Sequence, residues 1–281
     1  MELMLKALIM GLVEGLTEFL PISSTGHLIL AEQLLHFNYP QAKLFEVVIQ
    51  SGAIFAVCII YLQRISHLFK GVLGKGSAQD VREQRQLFLS LSIAFLPLAI
   101  LGLLFHKAIK AYLFHAIPVA TSFIIGGLII LWIERRELKS PHKTTKARLE
   151  SITLTDAVKL GFFQALALIP GTSRSGATII GGMVLGLSRP LATEFSFFLA
   201  IPTLLLASLY ELWKARHDFV SSDTGILLAG TLTSFISAWI VIKMLISWVS
   251  KHNFVPFAWY RIAFGIVILI THYAHIIEWQ S

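Results

Sequence analysis

A single cysteine, Cys58, in 281 residues leaves nothing to pair, so the chain has neither a disulfide framework nor a cysteine-based metal site. Charge is scarce as well. Only 14% of the residues are Asp, Glu, Lys or Arg, whereas 56% are hydrophobic, and the mean hydropathy is +0.74. Soluble domains carry roughly 25% charged and about 45–50% apolar residues, so most of this chain does not face water. That excludes disorder, a fibrous repeat, a coiled coil and an ordinary cytosolic enzyme. A basic n-region is missing too: Met1-Glu2-Leu3 opens with an acid, and no cleavable signal peptide is expected. What the chain does have is long apolar runs, and residues 1–281 read as one integral membrane domain.

A membrane helix needs about 20 mostly apolar residues. Runs at about 44–62, 87–105, 117–133, 192–213, 225–248 and 256–276 meet this, with Lys243 interrupting the fifth and Arg261 near the start of the sixth. Two further stretches, about 5–36 and 156–188, are broken near the middle by Pro21-Ile-Ser-Ser-Thr-Gly26 and Pro170-Gly-Thr-Ser-Arg-Ser-Gly176. Irregular backbone at membrane depth is tolerated only where protein or a water-filled cavity satisfies it. Both stretches therefore read as re-entrant helix–loop–helix hairpins. The expected fold is an all-α polytopic membrane protein of six transmembrane helices and two such hairpins.

Loop charge gives an orientation. The segments 64–86 (Arg64, Lys70, Lys75, Arg82, Arg85) and 134–150 (Arg135, Arg136, Lys139, Lys143, Lys146, Arg148) are rich in cations. The segments 106–116 (Lys107, Lys110) and 214–223 (Lys214, Arg216) are poor. The rich pair is expected on the cytoplasmic side. The net charge of +7 is then mostly a topology signal, and no basic patch on a soluble domain suggests nucleic acid as a partner.

A shift of 150 residues superposes Gly11 on Gly161, Glu14 on Gln164, Ser23 on Ser173, Gly26 on Gly176 and Phe45 on Phe195. The identities are sparse, yet each half reads as one hairpin followed by three spans, repeat 1 at about 5–133 and repeat 2 at about 156–276. An odd number of crossings per half inverts the copies. Inverted repeats with broken helices place their site near the midplane, where the interruptions meet. The first hairpin would enter from the outer side and the second from the cytoplasmic side.

The first hairpin carries Glu14 and Glu18, four residues apart and so on one helical face. Ionisable groups inside a membrane point to function. A shared proton or a divalent cation would relieve the repulsion between them; an acid near the headgroups is the plainer alternative. Ser23, Ser24, Thr25 and His27 follow at once. Hydroxyls there can cap a helix, and a histidine can be a satisfied core residue. In this setting His27 instead suits acid–base work or nucleophilic attack. In the second hairpin Gly171, Ser173, Arg174, Ser175 and Thr178 surround a glycine-rich turn that opens a helix. Helix-terminal amides and a guanidinium bind anions, although a salt bridge from Arg174 to an acid of the first hairpin would also satisfy it. The spacing is not that of a Walker motif. Glu46 and Gln50 form a further polar face as supporting groups or helix-to-helix ties, and Gln164 and Glu194 read as ties. Trp239, Trp248, Trp259 and Trp279 read as core or interface-belt residues. Carboxylates and a histidine on one hairpin, facing an arginine and amides on the other, form the division of labour that phosphoanhydride hydrolysis requires.

Glu14-Gly-Leu-Thr-Glu18-Phe-Leu-Pro-Ile-Ser-Ser-Thr-Gly-His27 and Pro170-Gly-Thr-Ser-Arg-Ser-Gly-Ala-Thr178 closely resemble the signature motifs of the bacterial undecaprenyl-diphosphate phosphatases, the bacitracin-resistance family. The likeness extends to Phe45-Glu46-Val-Val-Ile-Gln50 and Glu194-Phe-Ser-Phe, with Thr172 at a position the family pattern leaves variable. The resemblance implies a multi-pass enzyme of the bacterial inner membrane. It would remove the terminal phosphate of undecaprenyl diphosphate, recycle the carrier lipid of peptidoglycan and other envelope glycans, and confer bacitracin resistance. By motif match, Glu14 and Glu18 look like the acidic pair associated with Mg²⁺ or Ca²⁺. Ser24 and His27 look like catalytic candidates, and Arg174, Ser173 and Thr178 like diphosphate-binding residues. Substrate would enter from the periplasmic side with its tail among the membrane lipids, and a homodimer fits such a chain. A transporter or flippase for polyprenyl phosphates is the competing expectation, because broken helices suit transport equally well.

Overall fold

The computed structural model describes residues 1–139, 148–214 and 224–277. Lys143, Lys146, Arg216 and Trp279, used above for loop charge and the aromatic belt, lie outside the described residues. The described chain is all-helical: α1 (Glu2–Thr17), α2 (Ser24–Leu35), α3 (Ala42–Ile60), α4 (Leu62–Val72), α5 (Ala78–Leu113), α6 (Ala116–Lys139), α7 (Leu154–Ala165), α8 (Arg174–Val184), α9 (Arg189–Lys214), α10 (Thr224–Val249) and α11 (Val255–Tyr273).

Among the described residues six helices, α3, α5, α6, α9, α10 and α11, are long and apolar enough to cross a membrane; four contain their expected runs whole, while the runs 44–62 and 256–276 extend two and three residues past the ends of α3 and α11. Helices α1, α2, α7 and α8 have 16, 12, 12 and 11 residues. At 1.5 Å per residue they reach roughly 17–24 Å, short of a hydrocarbon core of about 30 Å. Large apolar side chains on the outside, among them Leu103, Leu104, Leu228, Leu232 and Trp132, are more than a soluble monomer leaves bare. They suit contact with lipid.

The segment 64–86 is not a loop. Leu62–Val72 is a helix, and α5 runs for 36 residues from Ala78. The reason is local: Leu62, Ile65, Leu68, Phe69 and Val72 recur at helical spacing, and Ser77 Oγ caps α5 by accepting from the Asp80 amide at 3.2 Å. Gly71, where a Cβ would fall 2.4 Å from Gln84 Cβ, lets α4 fold back on α5. Pro97 sits inside α5 without ending it, as membrane helices allow.

Lipid tails are as apolar as leucine, so membrane helices associate through close packing and hydrogen bonds. The first helix of each short pair docks on a span of the other half: α1 on α10, and α7 on α5. Both contacts run through glycine. A Cβ on Gly11 would lie 2.1 Å from the Gly230 carbonyl oxygen, and one on Gly161 would lie 2.7 Å from the Ala94 carbonyl oxygen. Gln164 ties the second seam, donating to the Ala94 carbonyl at 3.3 Å and accepting from Thr203 Oγ1 at 3.1 Å. Helix α3 meets α9, and α6 meets α11. Phe19 stands edge-on to Phe197, with ring centroids 5.5 Å apart, at the centre of the main core.

Candidate active site

The two interruptions adopt the same unusual backbone. Ser23 has φ 70°, ψ 105° and Ser173 has φ 71°, ψ 115°, a region that non-glycine residues enter at a cost of about 1–3 kcal/mol. These are the two serines that the 150-residue shift superposes. Both precede a helix, but they treat it differently. Ser173 Oγ accepts from the Gly176 amide at 3.0 Å and so caps α8, whereas the Ser23 side chain makes no capping bond to α2.

Glu18 links the interruptions. It ends α1 and is nearly buried. Its Oε2 accepts from Ser24 Oγ at 2.6 Å, and its Oε1 accepts from Arg174 Nη2 at 3.2 Å. The ion pair considered for Arg174 from sequence is therefore present. Arg174 also donates through Nη1 to the Ser196 carbonyl at 3.1 Å and lies over the Phe19 ring at 5.9 Å, while its buried Nε has no partner. Beside this trio lies a cavity of about 220 Å³. Glu18, Ser23, Ser24, Thr25 and Gln50 line it from one half; Pro170, Gly171, Ser173, Arg174 and Thr203 line it from the other, with Leu98, Ala167, Leu204 and Ala207 as its apolar wall.

Other residues named from sequence stand apart from that cavity. Neither nitrogen of His27 faces it. His27 Nδ1 donates to the Ser23 carbonyl at 2.6 Å, which leaves Nε2 as the acceptor for the Tyr260 hydroxyl at 2.7 Å. The imidazole stacks on Phe264 with centroids 4.3 Å apart. Ser175 Oγ donates to the Leu20 carbonyl at 2.7 Å, and Thr178 Oγ1 donates to the Arg174 carbonyl at 2.7 Å. Glu46 is half-buried on α3, one turn from the lining residue Gln50.

Glu14 is not satisfied by the protein around it. It is completely buried, neither carboxylate oxygen has a hydrogen-bond partner, and the charges it feels most are Glu18, Glu46 and Arg174. Orphaned carboxylate oxygens within electrostatic reach of a second carboxylate are the kind of donors a hard divalent cation takes. Among the described residues no group of three or more His, Cys, Asp or Glu side chains gathers. A two-carboxylate site completed by phosphate oxygens and water is the pattern of Mg²⁺ rather than of an all-protein cage, and these residues fit it.

Sequence reading noted Arg261 only as lying near the start of the sixth apolar run. It is fully buried on α11 and spends all five of its N–H groups on main-chain carbonyls. Nη1 donates to Pro21 (3.1 Å) and Thr172 (2.9 Å), Nη2 to Ser122 (3.0 Å) and Gly171 (2.9 Å), and Nε to Phe123 (3.4 Å). The available signal was the arginine itself, since a cation inside a membrane segment needs buried acceptors.

Residues 7–267 match the family model described as bacitracin resistance protein BacA. Curated relatives named undecaprenyl-diphosphatase include one from Nitrosospira multiformis, 54% identical over 279 residues (99% of this chain, 98% of the relative). One from Dechloromonas aromatica is 54% identical over the same share of each chain, and one from a Polaromonas species is 52% identical over 277 residues (99% and 98%).

Proposed function

The chain belongs to the bacitracin resistance protein BacA family, and from that premise we propose that it hydrolyses the terminal phosphate of undecaprenyl diphosphate to leave undecaprenyl phosphate. The observation that carries this reading is Glu18, whose two oxygens hold a serine hydroxyl from one interruption and an arginine from the other beside a polar cavity. A transporter needs the binding groups but not a base placed 2.6 Å from a hydroxyl.

Ser24 is the attacking group in this proposal, because it lines the cavity while both nitrogens of His27 are engaged elsewhere. Its proton passes to Glu18 Oε2 as Oγ attacks the terminal phosphorus. The bond from that phosphorus to the bridging oxygen breaks, and undecaprenyl phosphate leaves. Water then cleaves the phosphoserine to release inorganic phosphate. Arg174, which lines the cavity and keeps its Nε–H uncommitted, neutralises charge on the transferring phosphoryl group. The uncapped N-terminus of α2 offers its amides to the same oxygens. Ser173 shapes the turn, while Ser175 and Thr178 hold the backbone. Glu14 and Glu18 would hold Mg²⁺ or Ca²⁺, which when bound supplies further charge neutralisation on the diphosphate.

The same reading makes α1–α2 and α7–α8 re-entrant hairpins of an inverted repeat. Lys6 Nζ donates to the His36 carbonyl at 3.2 Å, bringing the end of α2 back beside the start of α1. The contact scheme α1–α10, α7–α5, α3–α9 and α6–α11 maps onto itself when the halves are exchanged. With the basic segments inside, the cavity opens to the periplasm of a bacterial inner membrane. The product would then feed peptidoglycan and envelope-glycan synthesis, and overproduction would raise bacitracin resistance.

The test is phosphate release from undecaprenyl diphosphate by the detergent-purified protein with Mg²⁺, with Ca²⁺ and with chelator, beside Arg174→Ala and Glu18→Ala. Cation-dependent release, lost in both variants while they stay folded, supports the proposal. Folded wild-type protein that releases nothing, yet moves the lipid across vesicles, establishes the transporter instead.

A further inference from the structure

We propose that Arg261 is the positioning residue of this site: one guanidinium grips both interruptions and holds them in the register that lets Glu18–Ser24 and Arg174 face the same diphosphate. The inference rests on the phosphatase reading above.

Three observations carry it. First, Pro21 and Gly171, which the 150-residue shift superposes, both give their carbonyls to Arg261, from Nη1 and Nη2 respectively. Carbonyls at a broken helix end have no helical partner of their own, and here one side chain satisfies those of both breaks. Second, the remaining donors reach Ser122 and Phe123 on α6, so the grip is referenced to a membrane span rather than floating with the breaks. Third, Arg261 pairs with no carboxylate among the described residues and lines no part of the cavity. Burying an unpaired guanidinium carries a desolvation penalty before its hydrogen bonds are counted. A brace needed only for folding has cheaper solutions. What only a planar five-donor fork does is fix several carbonyls at set angles to one another. Without it the interruptions keep three direct links, Ser173 and Ser175 to Leu20 and Arg174 to Glu18, so loss of Arg261 loosens the register rather than unfolding the chain.

Two variants test this in detergent-purified protein with undecaprenyl diphosphate. Arg261→Lys keeps the charge but has three donors on one nitrogen and cannot span both breaks and α6. It is expected to elute like wild type and melt a few degrees lower, because at least two of the five carbonyls lose their donor, with kcat per folded molecule lower by roughly 10- to 100-fold and KM changed by less than about threefold. Gly126→Ala leaves Arg261 in place but puts a Cβ 2.1 Å from its Nη2, displacing the guanidinium; the same kcat defect is expected. If Arg261→Lys fails to accumulate in folded form, Gly126→Ala decides alone. A kcat within about twofold of wild type in either folded variant overturns the proposal. So does activity that falls only with the folded fraction, which describes a brace. A raised KM with kcat intact describes an electrostatic attractor and overturns it equally. Wild-type protein that releases no phosphate removes the phosphatase reading and this inference together, and is recognised because no variant is involved.

Discussion

Glu14→Gln is expected to make the protein more stable and inactive at once. Glu14 is fully buried, both of its oxygens lack hydrogen-bond partners, and it faces Glu18 and Glu46. A buried polar group left unsatisfied costs about 1–3 kcal/mol, and more when charged. Glutamine keeps the shape and removes the charge that Glu18 and Glu46 repel, although its amide stays unpaired, so in chelator the variant should gain about 1 kcal/mol, or ~2 °C in Tm at roughly 2 °C per kcal/mol. Divalent cation reverses the ranking. An ion at about 100 times its dissociation constant contributes about 2.7 kcal/mol, available to wild type and not to a variant that has lost half of the carboxylate pair. The assay is thermal unfolding followed by tryptophan fluorescence, with chelator and with Mg²⁺ or Ca²⁺, alongside phosphate release. A Glu14→Gln protein that melts below wild type in chelator refutes the reasoning about the orphaned oxygens. One that keeps the wild-type response to cation refutes Glu14 as a ligand.

Ser24→Ala should abolish phosphate release without changing Tm appreciably, and no labelled phosphate should remain on the denatured variant after a quenched turnover. Labelled phosphate on the variant would move the attack to another residue. Glu134 is fully buried at the far end of α6 and accepts from Arg189 Nε (3.0 Å) and the Phe254 amide (2.9 Å). Glu134→Ala should cost about 3 kcal/mol, the lower end for breaking a buried pair because Arg189 is partly exposed. Its kcat per folded molecule should be unchanged, read from denaturation midpoints beside activity. Gly11→Val meets the Gly230 carbonyl oxygen, which a Cβ would approach to 2.1 Å, and should lose about 1–3 kcal/mol by overpacking or fail to accumulate. Gly225→Ala, whose nearest neighbour would be 3.7 Å away, is the matched control.

The spans were legible because composition alone decides them: each of the six apolar runs of about 20 residues coincides with a helix to within two or three residues. Amphipathic structure at the membrane edge was not, since Arg64 and Lys70 in α4 resemble loop charge until Leu62, Ile65, Leu68 and Phe69 are seen to share a helical period. For the site, the 150-residue shift picked out Ser23 and Ser173, and the structure gives both the same left-handed backbone. Direction was hidden. Motif spacing places His27, Ser175 and Thr178 near the breaks, but nothing in it says that their polar atoms are already committed to Ser23, Leu20 and Arg174 carbonyls. Arg261 was hidden for a different reason: all its partners are main-chain oxygens, which carry no sequence signature.

The docking of α1 on α10 and of α7 on α5 sets an order of assembly. Residues 2–17 are made well before residues 224–249, the helix that seats them. Until the last third of the chain is made, the Gly11 groove has no carbonyl to close on, and the broken backbone around Pro21 lacks Arg261. Helix α7 has no such wait for its seat, because α5 precedes it, although its break too lacks Arg261 until α11 is made. During synthesis the N-terminal segment must therefore linger at the membrane surface or against the insertion machinery, and a chain truncated before α10 should be a degradation substrate rather than a partly working half.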